Sequence, residues 1–285
     1  MTSREDDKIV RDFGKEWQHF DQSHVSTEAL LASFRRYFCI FPWQRLPENA
    51  RGFDVGCGSG RWAKFMAPHA AILLCLDASR KAVAAARTNL ANEDACHFIV
   101  ADVTAPPAAN SSMDFGYCLG VLHHVADPEA GLRASVRLLK PGAPFLLYLY
   151  YRLENRPMWF RALWRITDGG RRVVSRLPYV LKLTISQVIA ATVYLPLARA
   201  AKYFERIGHD VSDFPLSFYR NRTFYSMRTD ALDRFGTRRE KRFTKADITR
   251  LMTRASLVDI EFSDSEPYWC AVGFRAAQEI AIASA

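Results

Sequence analysis

Asp54, Gly56, Gly58 and Gly60 stand at alternate positions in "FDVGCGSG", directly after a short apolar run. Glycine reaches backbone angles closed to other residues and lets a ligand approach the chain closely, so this spacing suggests a ligand-binding turn. The pattern is GxGxG, not the GxGxxG of a pyrophosphate cradle, and no lysine follows in P-loop fashion. Asp77 closes the next apolar run, and Asp102 closes the one after it, in "VADV". The carboxyl ends of parallel strands form the ligand crevice of such sheets. There Asp77 can accept from both hydroxyls of a ribose, and Asp102 from the amino group of an adenine. Three carboxylates favour a ligand that joins adenosine to a positive charge, and disfavour a phosphorylated one.

The elements that must hold these residues alternate as βαβ units do. "RGFDVG", "AAILLCLD", "CHFIVADV", "MDFGYCLG" and "APFLLYLYY" read as five strands, with a helix expected from about Arg61. Ser79 and Asp127 are placed to cap the helices that follow them, and "TKAD" at Thr244 resembles a capping box. "VDIEFSD" and "YWCAVGFRA" are close enough in sequence to pair antiparallel. Leu30, Leu31, Phe34, Tyr37 and Phe38 make one helical stripe before the first strand, as expected of an N-terminal cap. "RASL" carries Ser256 at a helix end where glycine is the usual choice.

The 285 residues, 49% hydrophobic and 24% charged, suit a globular chain of one or two domains. Six cysteines without close-paired spacing read as reduced thiols of a cytoplasmic protein. The segment "VIAATVYLPLARAA" is too short to span a bilayer and contains Pro196 and Arg199, so no transmembrane segment is expected, while peripheral membrane contact stays open. The net charge of +9 is unevenly placed: Arg152 to Arg242 holds 16 Arg and 3 Lys against 8 acidic residues. Helices are expected there from about Met158 to Arg165 and from Ile185 to Ile207, with "DFPLSFYRNRTFYSMRTD" as an ordered loop.

"DVGCGSG", "LDAS", "VADV", "SSMDFGYCLGVLHHV" and "LLKPGAPFLLYLYY", in this order, resemble the class I S-adenosylmethionine-dependent methyltransferases, in their type 11 branch. The resemblance covers roughly residues 45 to 151 and 243 to 275. It implies an α/β, Rossmann-like fold: a seven-stranded, mostly parallel sheet with an antiparallel last strand, a helical N-terminal cap and a large helical insertion after the fifth strand. The expected domains are a cap or lid over 1–44, a cofactor-binding core over 45–151 and 243–285, and a basic, aromatic insertion over 152–242.

By the same resemblance the cofactor is S-adenosylmethionine, leaving as S-adenosylhomocysteine. Gly56, Cys57, Gly58 and Gly60 would meet its methionine portion, and Asp54 its amino group. Asp77 and Ala78 would sit at the ribose, Asp102 and Val103 at the adenine, and Leu119 and Gly120 at the methyl-donor end. Trp17, in "FGKEWQHF", has two readings: part of a lid over the cofactor, or core of a docking helix.

Methyl transfer is an in-line displacement that needs a general base only where the nucleophile starts protonated. His124 and His123 follow the fourth strand, and an imidazole is the natural base near neutral pH. The other reading is that they pack or cap the local turn. No metal site is expected. In the insertion, Arg152, Arg156, Tyr219, Arg220 and Tyr225 are candidates for holding an anionic small-molecule substrate, because arginine offers a planar fork and tyrosine a stacking face. Two further readings stand beside a small-molecule enzyme: an RNA or DNA methyltransferase using the basic segment, and a non-catalytic cofactor-binding or membrane-surface protein. Nucleic acid is disfavoured, since the insertion reads as a folded lid. The acceptor atom and the oligomeric state are not readable from these residues.

Overall fold

The computed structural model describes residues 4–20 and 25–277. It divides into two compact units: Met1–Arg152 with Arg239–Ala285, and Leu153–Arg238.

The first unit is built on one seven-stranded sheet. Its strands are β1 (Arg51–Val55), β2 (Ile72–Asp77), β3 (Cys96–Val100), β4 (Phe115–Leu119), β5 (Pro144–Tyr148), β6 (Leu257–Phe262) and β7 (Cys270–Arg275). The spatial order is β3-β2-β1-β4-β5-β7-β6. The first five are parallel, and β7 runs antiparallel between β5 and β6. The chain order reverses between β1 and β4, which is where an open parallel sheet leaves its ligand crevice.

Strand side chains alternate between two cores. Phe53, Val55, Leu76, Cys118, Phe145 and Leu147 face one core with α5 (Pro128–Leu138) and α10 (Lys245–Arg254). Leu73, Cys75, Phe115, Tyr117 and Leu146 face the other, with α2 (Thr27–Tyr37), α3 (Ala63–Met66) and α4 (Arg80–Asn89). Strands buried on both faces read as continuous apolar runs, as these do. The expected stripe on α2 delivers Phe34 and Phe38 to that second core, with Leu31 and Tyr37 packed beside them.

The expected caps are present: the Ser79, Asp127 and Thr244 side chains accept from the Ala82, Ala130 and Asp247 amides, and Asp247 returns the bond to Thr244. The helix expected from Arg61 is only one turn of α3, followed by the 3-10 turn Ala67–His69, because Pro68 cannot continue it. Helix α1 (Arg4–His19) lies against α4, and Gly14 allows the approach: a β-carbon there would sit 2.3 Å from Ser79 Oγ.

The second unit comprises α6 (Met158–Val174), α7 (Tyr179–Ile189), α8 (Leu195–Arg206) and α9 (Phe224–Gly236). Two expectations need correction here. The apolar segment is longer than "VIAATVYLPLARAA": α7 and α8 join through the π-helical turn Ala190–Tyr194 into one helix, Tyr179–Arg206, long and apolar enough by length and composition to cross a membrane. The wide turn lies just before Pro196, whose missing N–H would otherwise break the ladder. The stretch expected to be a loop becomes α9 from Phe224, because the Thr223 hydroxyl caps it by accepting from the Ser226 amide. A small core of Ala190, Tyr194, Ala198, Met227 and Ala231 joins α9 to the long helix.

Candidate functional site

Gly56, Gly58 and Gly60 all take positive φ, at 75°, 55° and 80°, which only glycine adopts without strain. The turn is fixed from β2: the Gly56 and Cys57 amides donate to the Leu76 carbonyl, and the Gly58 amide donates 3.0 Å to Asp77 Oδ2. Asp77 Oδ1 accepts from the Ser79 amide at 2.8 Å. Each carboxylate oxygen has two acceptor positions, so this clamp sets the orientation of Asp77 and leaves it able to accept further bonds. Burial pushes Asp77 above the usual carboxylate range, against the two backbone bonds.

Asp54 is 1% exposed, and its Oδ2 has no hydrogen-bond partner. Burial pushes its carboxyl up to about 8; the neighbouring Tyr117 hydroxyl acts against this, Asp77 adds to it, and Arg61 opposes it. A buried carboxyl oxygen without a partner costs free energy and is a place where a cationic group would be accepted.

Gly120 takes φ 80°, and a β-carbon there would meet nothing within 4 Å. Leu119 beside it is buried. Asp102 is exposed; its Oδ1 accepts from the Thr104 amide and hydroxyl, and Val103 packs on the core below. Cys57 is buried and Ala78 exposed.

Helix α1 crosses these carboxyl ends. The Trp17 indole covers Gly58 and lies 5.4 Å from the Arg61 guanidinium. Phe13 packs on His124 with ring centroids 4.9 Å apart. Glu5 and Asp6 hold Arg239.

The two histidines differ. His124 Nδ1 lies 2.7 Å from the Arg239 carbonyl, so it carries the proton and donates, which puts the imidazole lone pair on Nε2. His123 is fully buried, stacks on Tyr150 at 3.8 Å, and has no partner at either ring nitrogen. Burial, then the neighbouring His124 and Arg242, hold it well below the ordinary histidine range, so it is neutral.

The substrate candidates fall in both units. Arg152, in the first unit, has a 63% exposed side chain, bonds the Arg242 carbonyl and lies 4.0 Å from Asp247. In the second unit, Arg156 is tied to Asp213 and the Ser212 carbonyl, and Arg220 to Glu205 and the Ser217 carbonyl. Tyr219 packs against Tyr194, and burial, with Asp230 nearby, pushes its phenol well up. Tyr225 is half-buried on the first turn of α9. Sequence reasoning missed Phe13, Tyr150 and Arg239, whose importance comes only from distant parts of the chain.

A methyltransferase-domain family matches residues 53–147. The ubiquinone biosynthesis O-methyltransferase of Xanthomonas axonopodis pv. citri is 29% identical over 191 residues, 65% of this chain and 74% of that protein. The protein of that name from Alkalilimnicola ehrlichii is 37% identical over 98 residues, 33% of this chain. The match spans only 39% of that relative's length. The fold is shared with a methyltransferase of Haloferax volcanii solved with its Trm112 activator (TM-score 0.53, 17% identity, 95% of this chain and 99% of that one). It is also shared with a Thermotoga maritima protein described as a possible histamine N-methyltransferase (TM-score 0.52, 13% identity, 95% and 100%).

Residues 53–147 thus match a methyltransferase domain, which supports the class I S-adenosylmethionine-dependent family that the motifs led one to expect. S-adenosylmethionine is the cofactor of that domain, and the residues present fit it. The partnerless Asp54 Oδ2 suits an ammonium group, the positive-φ glycine turn beside it bends the backbone at the strand end, and the clamped Asp77 suits a ribose.

Proposed function

We propose that this chain transfers a methyl group from S-adenosylmethionine to an oxygen of a small, anionic metabolite by in-line displacement. The observation that carries the reading is the buried, partnerless Asp54 oxygen at the edge of the three-glycine turn. Bound there, the cofactor supplies a methyl group already activated on a sulfonium.

The residues of the chain then have separate work. Asp54 holds the ammonium, Asp77 the ribose hydroxyls, and Asp102 with the Val103 amide the adenine. Leu119 and Gly120 line the donor end. Helix α1, through Trp17, excludes water, which favours the displacement by desolvating its charged reactants. His124 is the general base: its Nδ1–H is committed to the Arg239 carbonyl, so Nε2 is the nitrogen that takes the acceptor's hydroxyl proton. His123 stays neutral, stacks on Tyr150 and packs at a tilt against its neighbour His124.

Oxygen as the acceptor atom is supported by the relatives' description as O-methyltransferases. An anionic substrate is supported by the basic insertion and by the exposed Arg152 at its start. Arg156 and Arg220, already paired within their unit, serve the insertion's own structure first.

The test is transfer of tritium from methyl-labelled S-adenosylmethionine into host extract, fractionated into small molecules, lipid, protein and nucleic acid. Label in an acidic small-molecule fraction is expected, lost with Asp54→Asn. Label confined to RNA or DNA would overturn the reading.

A further inference from the structure

We propose that the second unit docks on the surface of an anionic phospholipid bilayer through the outward faces of α6 and α7. This goes beyond methyl transfer and does not depend on it.

Among the described residues, every exposed large apolar side chain except Val100 lies between Leu153 and Arg238. They form stripes. Trp159, Ile166 and Val173 recur at seven-residue intervals on α6, and Leu181 and Val188 do so on α7, with Val180 beside them. Ile166 is 74% and Val180 71% exposed, so these side chains are not the rim of a core. Scattered exposed apolar residues are ordinary; contiguous stripes mark a surface that something covers.

The opposite faces are occupied. On α6, Asp168 and Arg171 are buried, and Arg171 donates to the Thr237 carbonyl after α9. On α7, Lys182 is buried and donates to the Gly236 carbonyl, and in the π-turn that follows Ala190 and Tyr194 pack on α9. The long helix thus has one face fixed in the unit's core. Crossing a bilayer would tear it from that core and carry Lys182 into hydrocarbon, whereas lying in the interface leaves both in place.

Charge selects the occupant. From Leu177 to Ala198 the only charged residue is the buried Lys182, and exposed Arg176 and Arg199 bracket this run. Exposed Arg165 and Arg172 flank the α6 stripe. An apolar stripe edged with arginine matches the acyl–headgroup boundary of an anionic leaflet. A nucleic acid would match the arginines and leave the stripes wet.

The test is flotation of the full chain with phosphatidylcholine vesicles, with and without about one third phosphatidylglycerol, beside the uncharged variant Ile166→Asn/Val180→Asn. Calorimetric binding of S-adenosylhomocysteine and the thermal melt of each protein report folding and the cofactor site separately. The wild type should float with the anionic vesicles only, and the variant's bound fraction should fall at least about fivefold with cofactor affinity unchanged. Failure of the wild type to float, or equal flotation of the variant, would overturn the proposal. So would a wild-type dimer in sedimentation velocity that the variant converts to monomer, since a second copy would then be the occupant. Native membranes from which alkaline carbonate cannot extract the chain would overturn the interfacial placement.

Discussion

The indole of Trp17 lies directly over Gly58: a β-carbon on Gly58 would come 2.9 Å from Trp17 Cε2. The N-terminal helix is therefore fitted to the glycine turn and does not merely cap the fold. Gly58→Ala must bear both the positive φ and this clash, and should lower stability by about 1–3 kcal/mol and weaken S-adenosylhomocysteine binding. Trp17→Ala alone should also weaken binding, by opening the turn to water. In the Gly58→Ala background it should cost less or even help, since the clash goes with the indole. A double-mutant cycle by calorimetry measures that coupling; strictly additive effects would show that the two residues act independently.

Asp54 gives a pH dependence of definite sign. Its folded-state pKa of about 8 lies above the ordinary 3.8, so its contribution to stability is fully present below about pH 4 and is lost as pH rises through about 8. Asp54→Asn should therefore melt close to wild type at pH 5 and above it at pH 8, with a gap on the order of 2–4 kcal/mol. Saturating S-adenosylhomocysteine should reverse the order, because its ammonium stabilises the carboxylate and not the amide. Between about pH 6 and 7.5, wild-type affinity should rise with pH, since binding must displace the carboxyl proton, and Asp54→Asn should flatten that slope. Melting and calorimetry at several pH values decide it.

Much of the first unit was legible because its signals are local. A cap such as Ser79, Asp127 or Thr244 needs only the next turn of chain. A strand buried on both faces needs only a run of apolar residues, and Gly56, Gly58 and Gly60 report a backbone requirement wherever they fold. What stayed hidden depends on partners far along the chain. The His124 tautomer is set by the Arg239 carbonyl, and Arg239 is held by Glu5 and Asp6 from the opposite end of the sequence. Gly14 looks like a flaw in a helix until its contact with Ser79 is seen. In the insertion the periodicity of α9 was masked by turn-forming residues around its cap, and the π-turn let an apolar helix run through Pro196.

The histidine pair separates base from support. His124→Ala should lower kcat by about 10²- to 10⁴-fold and leave S-adenosylhomocysteine affinity within about twofold, if the base acts on the acceptor alone. His124→Asn, whose amide nitrogen takes the place of Nδ1 and keeps a donor toward the Arg239 carbonyl, should restore stability and not rate. His123→Leu removes two partnerless buried nitrogens at the cost of its stacking on Tyr150, so its effect should fall on stability, within about 1 kcal/mol of wild type. A larger loss of kcat in His123→Leu than in His124→Ala would exchange the roles.

Asp168 is the charged hub of the second unit, with Arg171 at 2.7 Å, Arg172 at 3.2 Å and Arg234 at 3.6 Å. Burial works to raise its pKa, but the hydrogen bond from Arg171 and the charges of Arg171, Arg234 and Arg172 outweigh it and hold the carboxyl below its usual range. Its stabilising effect is thus present above the ordinary carboxylate pKa and lost as pH falls through the depressed one. Asp168→Asn should destabilise the unit by about 2–3 kcal/mol at pH 7, because it leaves Arg171 and Arg234 together without their counter-charge, and by progressively less in acid. Chemical denaturation at pH 7 and at about pH 2 reads the difference, and an equal effect at both would show that shape, not charge, holds the hub.

Ser256 supplies a test of strain. It ends α10 at φ 64°, where its amide donates to the Thr253 carbonyl and its own carbonyl accepts from Ala276, so the left-handed conformation is pinned from both sides. A residue with a β-carbon costs about 1–2 kcal/mol in that region, while glycine enters it freely. Part of that gain is returned because glycine also makes the unfolded chain more flexible. Ser256→Gly should therefore raise stability by about 0.5–1 kcal/mol without touching cofactor affinity, since the turn lies between α10 and β6 and not at the carboxyl ends of β1 and β4. Ser256→Ala, which keeps the β-carbon and loses only the hydroxyl, should stay near wild type. A thermal melt of the two variants separates backbone strain from side-chain loss: glycine no better than alanine would mean that the turn is relaxed as it stands.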